Sequence, residues 1–493
     1  MSATLDTTSV AGRPPGPLKA SHAGRRDRWV LATLGVAQLM VVLDATVVNI
    51  ALPSAQAELG FDDGARQWVV TAYALAFGSL LLLGGRIGDL AGRARVFVAG
   101  LAGFAVASAV GGAAVDVRML VAARAVQGLF AALLAPAALA LLATTFTQPR
   151  ERARAFAVFG AIGGGGASVG LLLGGLLTQY AGWRWTFYVN LVFAGVAVTG
   201  ALALFDRRGS GGRPRLDVPG TVLGTVGLFA LVDGFARAHA SGWRDGATLG
   251  LLAAAAVLLA AFTAVQRHTE HPLLPPRVVA DRDRAGAYGA VLLASVGIFG
   301  VFLFIAYYLQ GTLGYGALAS GLAFLPLSVA LVAGSTVTGT VLAPRITSRV
   351  LVPAALLLAA ASLVLLTGIT PTSGYVTGLL PGMLLFGLAV GSIFAPAYRL
   401  ATVGVRPADT GVAAAALNTA QQVGGAIGGA LLNTVAVSAA STWAADHPGA
   451  TAAAQVHAYT TVFWWAAAIL TAGALVTALV LRPGVRTSTP PAG

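Results

Sequence analysis

An all-α polytopic membrane protein with fourteen transmembrane helices is predicted from three observations. Apolar residues make up 57% of the 493 and charged residues only 10%, against roughly 25% charged in a soluble globular protein. The apolar residues fall into recurrent runs of the ~20 residues a bilayer crossing requires. The basic residues then sort by side. With the N-terminus inside, 25 of the 31 lie in the tails and loops on one face and five on the other, leaving Arg124 within a span. A missed or invented helix would flip every later loop and scramble this positive-inside pattern.

Residues 1–28 are polar and carry five basic residues; with no basic start followed by a short apolar core they read as a cytoplasmic tail, not a secretory signal. The spans follow at about 29–52, 67–85, 95–115, 119–143, 155–178, 184–205, 217–237, 247–266, 286–309, 318–342, 350–369, 376–399, 411–437 and 459–481. Residues 482–493 form a second cytoplasmic tail. The fifth span reads GAIGGGGASVGLLLGG from Gly160 and the thirteenth QQVGGAIGGALL from Gln421, small-residue faces suited to close helix packing. They occupy equivalent places if 29–206 and 285–481 are two six-helix bundles and 207–284 inserts two further helices with their linkers. Duplicated halves around a midplane site are a transporter architecture.

Several chemistries are excluded. The chain has no Cys, which removes thiolate nucleophiles and iron–sulfur clusters. Its single Lys, Lys19, lies in the polar tail, so no phosphate-binding GxxxxGK[ST] loop exists. The net charge of +13 is spread along the loops and not clustered, which argues for topology and against nucleic acid. His268 and His271 flank Glu270 just before Pro272, without the spacing of a helical zinc site. No metal, cofactor or enzymatic chemistry is expected.

Ionisable groups inside spans are costly and mark functional sites. Asp44 lies mid-span in LDATVVNIALP with no basic neighbour on its own helix, where taking up a proton would relieve the cost of its charge. Arg124 lies in LVAARAVQGLFAA, and Asp233 in the seventh span with Asp217 at that span's edge. The loop GRIGDLAGRAR, Gly85 to Arg95, sets Asp89 and Arg93 among glycines that permit a tight turn.

The loop resembles the signature between the second and third helices of the major facilitator superfamily, with Gly85, Asp89, Gly92, Arg93 and Arg95 in its roles. LVAARAVQG resembles the fourth-helix signature through Arg124, Gln127 and Gly128. LDATVVNIALP resembles the first-helix signature of the 14-helix drug:proton antiporter branch through Asp44, Thr46, Asn49 and Pro53. GWRWTFYVN from Gly182, YYLQGTLGY from Tyr307 and the stretch at Asn418, Gln421 and Gln422 are similar to that branch. One departure is Leu171 after Gly170, where the branch usually has Pro.

The resemblance implies a proton-coupled efflux transporter of the cytoplasmic membrane. It would work as a monomer, with both termini inside, exporting small lipophilic drugs by alternating access. Leu171 leaves open a metabolite or nutrient symporter or facilitator of the same fold. The implied roles are proton coupling by Asp44, Arg124 and Asp233, and a conformational latch at 85–95. Helix packing falls to Gly170, Gly174 and Gly175. The cavity is expected between spans 1, 4 and 5 and spans 9, 12 and 13. It would be lined by Asn49, Gln127, Phe302, Tyr308, Gln310, Phe394, Asn418 and Gln421, with Phe299, Tyr307 and Phe386 as further aromatic contacts.

Overall fold

A computed structural model describes residues 20–61, 63–206 and 217–482; most of the expected tails and the linker at 207–216 lie outside these. The elements are helical throughout. They are α1 (Ala20–Leu59), α2 (Asp63–Ala91), α3 (Arg93–Gly112), α4 (Val117–Thr145), α5 (Pro149–Tyr180), α6 (Trp185–Leu204), α7 (Val218–Ser241) and α8 (Gly246–His268). After the one-turn α9 (Pro276–Val279) come α10 (Arg282–Tyr307), α11 (Ala317–Val337), α12 (Ser348–Leu366), α13 (Leu380–Thr402), α14 (Thr410–Asp446) and α15 (Thr451–Val480).

Fourteen of these are long. Thirteen are long and apolar enough to cross a membrane; in α5 the qualifying run among the described residues is shorter, Arg154–Gly163. α5 is nonetheless one unbroken helix through Leu171. Several helices outrun their apolar spans. α14 continues nine residues past the expected end at 437, to Asp446, because hydropathy reports the lipid-crossing part while hydrogen bonding carries the helix on into polar sequence.

α1–α6 pack on one another, as do α10–α15, and α7 pairs with α8. The halves meet along two seams, α2 with α14 and α5 with α11. Glycines set the spacing inside each half. A Cβ on Gly170 would lie 1.9 Å from the Thr46 hydroxyl and one on Gly174 3.1 Å from Val47 Cα, so α5 rides directly on α1. Gly424 and Gly428 of α14 meet the backbone of Leu292 and Val296 on α10 equally closely, at 2.1 and 2.9 Å. The two glycine-rich spans thus play matching parts in their halves. Gly175 does not share this role: nothing lies within 4 Å of its Cβ position, because it points off the seam.

Inserted α7 packs against both α2 and α14, and a small apolar cluster joins Leu82, Leu228, Phe262, Leu273 and Ala415. The segment after α8 is fastened by Asp217, which accepts from Gln266 Nε2 at 2.6 Å and the Leu273 amide at 3.3 Å. Gln266 Oε1 in turn accepts from the Leu274 amide.

Candidate functional site: a buried ion pair, a latch and a central cavity

Asp44 is fully buried within the first half, and it is paired. Its Oδ2 accepts from Arg124 Nη1 at 2.5 Å, and its Oδ1 from Gln127 Nε2 at 3.0 Å and Asn190 Nδ2 at 2.8 Å. Gln127 and Asn190 also donate to Ser108. Arg124 donates to the Val69 carbonyl and lies 4.2 Å from the Tyr73 ring centroid. Five helices, α1, α2, α3, α4 and α6, therefore converge on one neutral pair. The sequence shows no basic neighbour on the helix of Asp44; its basic partner comes from α4, 80 residues away. The pairing also moves Gln127 out of the expected substrate cavity, since both polar atoms of its amide are spent on this cluster. Asn190, Ser108 and Tyr73 are members that a search confined to charged residues passes over. The signal that would have found them is any polar side chain within an apolar span.

Asp89, at the end of α2, reaches the other half. Its Oδ1 accepts from Arg93 Nη2 at 2.8 Å and from the Gly411 amide at 3.0 Å, while Oδ2 accepts from the Val412 amide at 3.2 Å. These are amides of the first turn of α14, where orphan N–H groups and the helix dipole favour a carboxylate. Gly85 permits the approach: a Cβ there would sit 2.6 Å from the Gly411 carbonyl oxygen. Gly92, at φ 99°, turns the chain from α2 into α3. Arg95 is exposed and takes no part among the described contacts; of the residues expected to form a latch, Gly85, Asp89, Gly92 and Arg93 shape this contact. Further ties at the same end join Arg152 to Thr402 at 3.0 Å and Ser335 to the Ala157 carbonyl at 2.8 Å.

Between the halves lies a cavity of about 630 Å³. Thr46, Val70 and Gly163 line one side; Ser295, Phe299, Phe302, Phe386, Phe394, Gln421 and Gln422 line the other, with leucines of α11. No lining side chain is charged. Phe302, Phe394 and Gln421 lie on this wall, and Phe302 stacks on Phe324 at 5.0 Å. Besides Gln127, five expected contacts are placed elsewhere or not described. Tyr308 is buried with its hydroxyl donating to the carbonyls of Thr370 and Ser373, tying a turn after α12. Gln310 is exposed in the π-turn after α10, and Tyr307 is exposed beside it. Asn418 is half-buried one turn short of Gln421 and does not line the cavity. The side chain of Asn49 lies outside the described residues. The fourth span contributes nothing to the wall, because its polar face is turned onto Asp44; α2 and α11 take its place.

Asp233 is buried in α7 beside Arg237, 3.3 Å away on the next turn. It touches neither the Asp44 cluster nor the cavity wall.

The family profile described as Major Facilitator Superfamily matches residues 34–429. The puromycin resistance protein of Streptomyces alboniger is 52% identical over 450 residues, covering 90% of this chain and 89% of that one. The cephamycin export protein of Amycolatopsis lactamdurans is 37% identical, covering 98% of each chain. The tetracenomycin C resistance and export protein of Streptomyces glaucescens is 34% identical, covering 88% of this chain and 80% of that one. Among solved structures, the human organic anion transporter MFSD10 shares the fold at TM-score 0.60 and 17% identity, over 90% of this chain and 99% of that one.

Proposed function

The chain belongs to the major facilitator superfamily, and from that premise we propose that it exports small lipophilic antibiotics across the cytoplasmic membrane in exchange for protons. The observation that carries this is the uncharged, phenylalanine-lined cavity between two halves joined, among the described residues, by the Asp89 bonds at one end. Its relatives' names supply the substrate class, since puromycin, cephamycin and tetracenomycin resistance or export proteins align over most of the chain.

In this reading the two bundles divided near 206 and 285 rock about the cavity, and both termini face the cytoplasm with the arginine-rich loops. The described ties between halves lie toward the end that carries the 85–95 loop, so the conformation is outward-facing. Asp44 carries the proton. Protonating it leaves Arg124 without its counter-charge in a buried site, a costly arrangement that favours rearrangement of α1 against α4. Asp233, held by Arg237 on the same helix, is a reserve candidate for that role. The working unit is the monomer.

Two measurements test this. Expression in a pump-deficient host should raise tolerance to puromycin or another antibiotic of the panel, and no gain for any compound removes the drug-export assignment. In inverted vesicles, added substrate should release protons; a facilitator releases none and a symporter moves them the other way. Asp44→Asn should abolish this release while sparing substrate binding to purified protein. Asp44→Glu should retain part of it. Continued pumping by Asp44→Asn would move the coupling site to Asp233.

A further inference from the structure

Among the described helices, five begin behind an aspartate at the N-cap position: Asp116, Asp217, Asp245, Asp281 and Asp409. Four behave alike. Each carboxylate turns back onto the amide three residues ahead, at Met119, Gly220, Thr248 and Arg284, with distances of 2.8, 2.9, 3.0 and 3.1 Å. This is how an N-cap satisfies the orphan donors of a first turn. Asp409 is the exception. Its carboxylate makes no capping hydrogen bond to α14, although its side chain is almost fully buried at the head of that helix. Its carboxylate is gripped instead by Arg277, whose Nε reaches Oδ2 at 3.1 Å and whose Nη2 reaches Oδ2 and Oδ1 at 2.9 and 3.2 Å. The amides an N-cap would take, Gly411 and Val412, are bound by Asp89 of the opposite half.

Arg277 is well fixed for this. It sits on α9, its own carbonyl accepts from Arg284 Nη2 at 3.0 Å, and the chain just before it is held by the Asp217–Gln266 bonds. It therefore stays with the second half and the inserted pair when the first half moves. The backbone of Asp409 also records the diversion. At φ −112° and ψ 2° it continues a 3-10 turn, Pro407–Asp409, where three of the other four caps are extended, with ψ of 124° to 169°.

We propose that Asp409 is a reserve cap. While the latch is closed, Arg277 holds its carboxylate off α14 so that the first-turn amides stay available to Asp89. When α2 withdraws, Asp409 turns about its ψ angle onto the Val412 amide and α14 stays capped. One carboxylate replaces another on the Val412 amide, so opening does not leave that donor bare. Arg277 sets the balance between the two caps and acts as a positioning residue for the latch. The proposal rests on the alternating-access reading above.

The chain has no cysteine, so Ser335→Cys makes a single reporter. Ser335 is fully buried between α11 and the Ala157 carbonyl of α5 at the latched end. Its labelling rate by an impermeant maleimide in inverted vesicles therefore reads opening of that end, without any substrate. Arg277→Gln frees Asp409 to compete with Asp89, and labelling should accelerate about fivefold, the factor an exchanged N-cap carries. Adding Asp409→Ala removes the competitor and should return labelling to the parent rate or below. Arg277→Lys, which keeps the charge but not the two-pronged grip, should fall between parent and Arg277→Gln. A merely structural role predicts the opposite order, with the double variant labelled at least as fast as Arg277→Gln. That result, or an unchanged rate in Arg277→Gln, overturns the proposal. Asp89→Asn is the control and should accelerate labelling by itself. If it does not, the latch reading fails and this proposal with it.

Discussion

Two buried aspartates, Asp44 and Asp89, are each paired with an arginine, yet they differ in what surrounds the pair. All partners of Asp44 belong to the first half: α1 is joined to α2, α3, α4 and α6 by one hydrogen-bonded knot. Asp89 divides its bonds, keeping Arg93 on its own side and lending both oxygens to α14 on the other. The first arrangement survives any rigid motion of the halves, whereas the second must break for the latched end to part. A carboxylate whose partners all move with it holds a bundle together. One whose partners are split between bodies sets an equilibrium between them.

The largest effect expected from this contrast is on folding. Arg124→Ala strands the Asp44 carboxylate in a closed site, and removing one partner of a buried pair costs about 3–5 kcal/mol. Thermal unfolding in detergent should show a much less stable protein or none recovered. Parent-like stability would mean that the knot is not what joins those five helices.

A smaller effect, of another kind, is expected at the latch. Asp89→Asn keeps one acceptor for the α14 amides but loses the charge that strengthens those bonds and holds Arg93. Folded yield should stay near parental while turnover falls roughly tenfold, as expected for a loss of ~1–2 kcal/mol from charge-assisted hydrogen bonds. A drop in yield equal to that of Arg124→Ala would erase the distinction between the two aspartates.

The smallest effect belongs to a third carboxylate, Glu58, exposed at the far end of α1, where it accepts from the Trp183 indole and pairs with Arg184. The Trp183 hydrogen bond, with help from Arg184, holds its pKa below the usual glutamate range. A depressed carboxylate stabilises the fold fully above its unfolded value, about 4.3, and loses that contribution as pH falls through the folded value. Glu58→Gln should therefore leave the melting temperature at pH 7 slightly lower and flatten its decline below pH 4. A steeper acid decline in the variant would contradict the assignment.

What the sequence revealed, and what it hid, follows from the range of the interactions. The helices were legible because each is set by some twenty consecutive residues. Asp44 and Asp89 stood out as charges at or within spans. Their partners did not: Arg124 lies 80 residues from Asp44, and the Gly411 amide 322 residues from Asp89. A backbone amide carries no residue identity to recognise. Tyr308 and Gln310 were misplaced for a different reason. A membrane helix is apolar on its lipid face as well as its buried one, so periodicity does not say which aromatic side faces a cavity. Gly175 failed likewise, since GG fixes a close approach for one glycine and not for its neighbour one residue on.

The inserted pair leaves the two seams unequally covered. α7 lies against both α2 and α14, backing the seam between halves on that side, while α7 and α8 make no comparable packing with α5 or α11. Along that second seam Val169 and Leu176 of α5 and Leu322, Val329 and Val332 of α11 remain exposed, and Gly165 and Val332 border the contact itself. Among the described residues, then, the seam of α2 and α14 lies behind a further helix, whereas the seam of α5 and α11, closely packed though it is, presents its own apolar side chains outward.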